Sequence, residues 1–92
     1  MSILAMTIAA QLAEDALGPL YGSHIAKDTR MGRLARAAKS AASMALIKHI
    51  GDAPEGEWHY DASGFTERLA EARRIAGDAV ASEIAFLRSH RA

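Results

Sequence analysis

The chain contains no cysteine, so neither a disulfide nor a thiolate-held metal can staple it. That absence fits a cytoplasmic protein. Aromatic residues are scarce, at one Trp, two Tyr and two Phe in 92 residues. They do not interleave with the basic residues, as they would on a base-stacking surface. The formal net charge is zero, which argues against non-specific nucleic-acid binding as the main activity. No apolar run reaches the ~20 residues of a membrane span. The most apolar segment, 2–17, lacks the basic start of a signal peptide and runs into Glu14 and Asp15. It is expected to be a core helix, and a membrane is not among the expected partners.

Large core-forming side chains are also few. Leu, Ile, Val and Phe make up roughly a fifth of the chain, near the lower edge of what sustains a core. Alanine is the largest single part of the apolar half. It favours helix and close helix approach, but buries little area at ~25 cal/mol per Å². Small domains with thin cores often gain stability by self-association. A homodimer is therefore expected, meeting through Ile75 and Phe86 on the last helix.

Catalytic signatures are missing too. There is no Gly-rich phosphate loop, no nucleophile spaced against a base, no HExxH and no histidine pair at i, i+4. The chain is read as a non-enzyme without a cofactor. His24, Glu83 and His90 could converge at one end of a bundle, a weaker alternative in which the protein binds a metal or ligand. His49 is expected in the core.

What is present is helix. Between Asp28 and Gly51, Met31, Leu34, Ala35, Ala38, Ala42, Ala45, Leu46 and His49 share one side at 100° per residue. Asp28 is a candidate N-cap, and Gly51 a candidate stop. Beyond Ser43 the outer side carries Met44, Ile47 and Ile50, so this half is expected to be covered on both sides. Gly18-Pro19 ends the first helix and can open a short further turn. Residues 51–64 form a loop with Asp52, Glu55 and Glu57. Asp61 or Ser63 then caps a last helix to about His90, in which Gly77 suggests a close backbone contact. One domain, 1–92, is expected: an all-α three-helix bundle whose second and third helices form a long antiparallel hairpin.

Lys27, Arg30, Arg33, Arg36 and Lys39 recur every third residue, a basic stripe on the first half of the central helix. With Trp58 and Tyr60, aromatic anchors of the type enriched at interfaces, it is the candidate partner-binding surface. Its bland reading is a solvated face, and the bland reading of the aromatics is a cover over the hairpin's open end. Glu83 sits on the apolar side of the last helix and is expected to pair with Arg30 or Arg33. The functional expectation is a small binding protein (adaptor, regulator or inhibitor) of bacterial or phage type, docking on an acidic protein surface. The alternative is a nucleic-acid-binding regulator using the same residues.

Overall fold

A computed structural model describes residues 3–51 and 55–90. The elements are α1 (Ile3–Gly22), α2 (Arg30–Gly51), a 3-10 turn (Glu55–Trp58) and α3 (Phe65–Ser89), with no strand among the described residues. This is the expected three-helix bundle. The interface between α2 and α3 is the most extensive, and that between α1 and α2 follows. The start of α2 lies against the end of α3, while Trp58 joins His49 of α2 to Phe65 of α3 at the other end. The second and third helices thus form an antiparallel hairpin. Asp52 and Pro54 of the acidic loop, and the side chains of Glu55 and Glu57, lie outside the described residues.

Each helix end has a local cause. In α1 the regular helix stops at Leu17, because Gly18 adopts φ 83, ψ 160, a conformation that a Cβ resists. Pro19 then opens one more turn, its carbonyl accepting the Ser23 N–H at 3.2 Å. By length and mean hydropathy the whole of α1 could cross a membrane. In the bundle Ala5, Ala9, Leu12, Ala13 and Leu17 form its buried face.

The cap of α2 is Thr29, not Asp28. Thr29 Oγ1 accepts the Gly32 N–H at 3.0 Å, satisfying one of the free donors of the first turn. Asp28, one position too early for that bond, turns outward to Arg33. Neither Asp61 nor Ser63 caps α3 through its side chain. The residue before α3 is Gly64, left-handed at φ 80, ψ 9. Asp61 is taken up by the His59 ring, and the Ser63 carbonyl accepts Arg68 Nη1 at 2.6 Å.

Most of the core is alanine. Ala5, Ala9, Ala13, Ala35, Ala38, Ala42, Ala72 and Ala76 are all buried, and the larger buried side chains are Leu12, Leu17, Leu46, Ile50, Trp58 and Val80. The second half of α2 is covered on one side only. Ile50 is buried, whereas Met44 and Ile47 are 69% and 53% exposed.

The expected close contact at Gly77 is absent, since a Cβ built there meets nothing within 4 Å. It occurs at Gly32 instead. A Cβ at that position would lie 1.8 Å from the Lys27 carbonyl oxygen and 2.8 Å from that of His24. The corner between α1 and α2 therefore folds directly onto the first turn of α2.

Candidate partner-binding site

The corner that presses on Gly32 also shapes the surface beside it. Arg30, Met31, Arg33, Leu34 and Ala37 of α2 face Leu87 and Arg88 of α3 across a half-open cleft of about 300 Å³. Met31, Leu34, Ala37 and Leu87 supply an apolar floor. Three guanidinium-bearing residues stand around it, and no acidic residue is among the described residues that line it. Arg88 is tied across the fold, its Nη2 donating to the Tyr21 hydroxyl at 3.0 Å. Arg33 meets Asp28 at 3.3 Å, with both side chains largely exposed. Such a pair contributes little in water, ~0–1 kcal/mol, and an incoming carboxylate can displace it.

The charge on this wall is unbalanced locally. The first turn of α2 contains no acid, although the helix dipole makes cations there unfavourable by ~0.3–1 kcal/mol each. On α3 the charges cancel among themselves. Arg74 reaches Glu71 at 2.5 Å and Asp78 at 2.8 Å. The hydrogen bond from Arg74 holds the Glu71 carboxyl below its usual range, against a weaker opposing effect of desolvation.

The stripe does not act as one surface. Lys27, Arg30 and Arg33 are exposed, and Lys39 is half-buried further along. Arg36 works within the fold: its Nη1 donates to the carbonyls of Ile25 at 2.9 Å and Lys27 at 3.1 Å, closing the corner over α2. Arg36→Ala is therefore expected to lower stability by about 1–2 kcal/mol, because charged donors to carbonyls are among the stronger hydrogen bonds. Urea unfolding checks it; a midpoint equal to the parent's would show that the corner holds without this clamp.

Trp58 and Tyr60 part company. Trp58 is 2% exposed, its ring edge-on to His49 at 6.3 Å and to Phe65 at 6.4 Å. It closes the open end of the hairpin and offers no area to a partner, a correction to its place in the candidate surface. Tyr60 is 74% exposed and stacks on His59, far along the hairpin from the cleft. His49 is half-buried against Trp58.

Glu83 is half-buried, but no cation pairs with it among the described residues. Arg33 is engaged by Asp28, and Arg30 lines the cleft. The expected ion pair is thus absent, although the start of α2 does lie against the end of α3. His24, Glu83 and His90 form no cluster: among the described residues no three His, Asp or Glu gather as a metal site. The His90 ring instead stacks on Phe86 at 4.1 Å. Phe86 is 53% exposed, while Ile75 is half-buried.

Arg88 escaped the sequence reading. It lies on a helix of balanced charge, and only the antiparallel closure of the hairpin brings it to Arg30 and Arg33. No protein-family model, curated protein or solved structure matches the chain.

Proposed function

We propose that the protein is a non-enzymatic binding module that docks an acidic protein surface through the start of α2. The observation that carries this reading is the cleft, with Arg30, Arg33 and Arg88 around an apolar floor and no acid among the described residues of its lining. Placing arginines at a helix N-terminus whose first turn contains no acid runs against local helix preference. Departures of that kind concentrate at functional sites. An anion bound there would be favoured by both the guanidinium groups and the helix dipole. Lys27 extends the positive field, while Arg36 holds the corner in place. Trp58 stands outside the docking surface, and Tyr60 belongs to it only for a partner long enough to reach the loop.

Retention on immobilised polyglutamate, compared with heparin and duplex DNA, tests this. The protein is expected to be held by polyglutamate and released by moderate salt. Arg30→Glu with Arg33→Glu is expected to abolish retention with little change in melting temperature, as is usual for exposed positions. Salt-dependent retention on duplex DNA with none on polyglutamate would replace this reading with a nucleic-acid one. A large loss of helicity in the double variant would show these arginines to be structural.

A further inference from the structure

The cleft has a shape as well as a charge, and the two together restrict what can occupy it. Its volume, about 300 Å³, is at the lower limit of small-ligand pockets, which usually enclose most of their ligand. This one is half open. Its apolar floor comes from both helices, with Arg30 and Arg33 on one wall and Arg88 on the other. A complementary ligand therefore has one apolar group at its centre and anionic groups on both sides.

A fatty acid carries its single charge at one end and cannot meet both walls while filling the floor. A phosphate backbone supplies the charges and leaves the apolar floor unfilled. An amphipathic helix supplies both, because residues three and four apart share a face. A large apolar side chain then points into the floor while carboxylates one turn before and after it reach the two walls. This is the helix-in-groove mode of recognition, reduced to one anchor.

We propose that the cleft receives a single Leu, Ile, Phe or Met side chain from an acidic amphipathic helix of a partner protein, with the flanking carboxylates on Arg30, Arg33 and Arg88. The inference rests on the reading that this site docks an acidic protein, and names the element that docks. On this account Asp28 holds Arg33 until the partner's carboxylate replaces it. Arg88, outside the basic stripe, becomes part of the recognition surface.

The test uses the ¹⁵N-labelled full chain and a synthetic helical peptide in which one Leu is flanked by Glu three residues before and four after. Amide shifts are expected at residues 30–37 and 86–89. Changing the peptide's Leu to Ala, or its Glu residues to Gln, is expected to weaken binding by at least about tenfold, as for a buried interface anchor. Arg88→Ala in the protein is expected to weaken it similarly, and Arg88→Lys to recover part of the loss. The same spectra show whether each variant is folded.

Equal binding, within about twofold, of the Leu and Ala peptides would overturn the inserted anchor while leaving acidic docking intact. Decanoate shifting the same amides where the peptide shifts none would assign the cleft to a small amphiphile and overturn the proposal. A short DNA duplex binding where no acidic peptide does would overturn both this inference and the reading beneath it. Absence of shifts with every probe at millimolar concentration would also overturn the inference.

Discussion

Replacing Gly32 with alanine will lower the melting temperature by about 12–24 °C, the equivalent of ~3 kcal/mol in a domain of this size. Gly32 lies within α2, where alanine is ordinarily the better helix former by ~1 kcal/mol. Propensity alone would make the change stabilising. The neighbours decide otherwise: the new methyl group would fall 1.8 Å from the Lys27 carbonyl oxygen and 2.8 Å from the His24 oxygen. Both obstacles are backbone atoms, so no side-chain rotation relieves the overlap, and the corner must lift from the helix. Lifting it loosens the Arg36 bonds to the Ile25 and Lys27 carbonyls, and also the Thr29 cap on the Gly32 N–H. Gly77→Ala supplies the contrast. Its Cβ meets nothing within 4 Å, so it should raise stability by about 0.5–1 kcal/mol. Thermal unfolding of the two variants reads both signs, and a Gly32→Ala protein melting within about 3 °C of the parent would show that the corner does not rest on α2.

The second large effect is expected at Trp58. Truncation to alanine should cost about 3–5 kcal/mol, a sizeable share of the ~5–15 kcal/mol that holds a typical domain together. The loss is large here because so few bulky side chains are buried: Trp58, Leu46 and Ile50 are the largest. Trp58 bridges α2 and α3 at the loop end, through His49 and Phe65. Trp58→Phe should cost much less than truncation. Among the described residues the buried Trp58 Nε1–H has no hydrogen-bond partner, a situation that costs ~1–3 kcal/mol. Phenylalanine removes that donor while keeping most of the ring, which offsets part of the lost packing. Guanidinium unfolding followed by circular dichroism separates the cases. Equal destabilisation by Phe and Ala would mean that the indole as a whole, and not ring area, is what the site requires.

The elements and their order were legible because each has a local cause. Alanine-rich periodicity marks α2, the Gly18-Pro19 pair marks the break in α1, and the Gly- and Pro-punctuated loop separates α2 from α3. Details that depend on which residues meet through space were not legible. Asp28 and Thr29 are both good caps, and only the backbone path past Lys27 selects the second. Gly32 and Gly77 look alike along the chain; one faces a carbonyl and the other faces solvent. The pairing assigned to Glu83 did not form: Arg33 meets Asp28, five residues before it, and Arg30 lines the cleft. Trp58 has the composition of an interface anchor, but a core this poor in large side chains needs its area. Of the candidate site, Arg30 and Arg33 were visible as part of the basic stripe. Its opposite wall, Leu87 and Arg88, exists only once the hairpin closes.

The hydrogen bond from Arg88 to Tyr21 joins residues 67 positions apart, and it ties down the last turn of α3. Helix ends open at low free energy, well below that of global unfolding. The cleft is therefore a conformer with an occupancy, present only in the fraction of molecules whose last turn is docked. Apparent affinity equals intrinsic affinity scaled by that fraction. One hydrogen bond of ~1 kcal/mol changes the equilibrium between docked and open by about fivefold. Tyr21 is not among the residues that line the cleft, yet through this equilibrium it governs how often the cleft is fully formed.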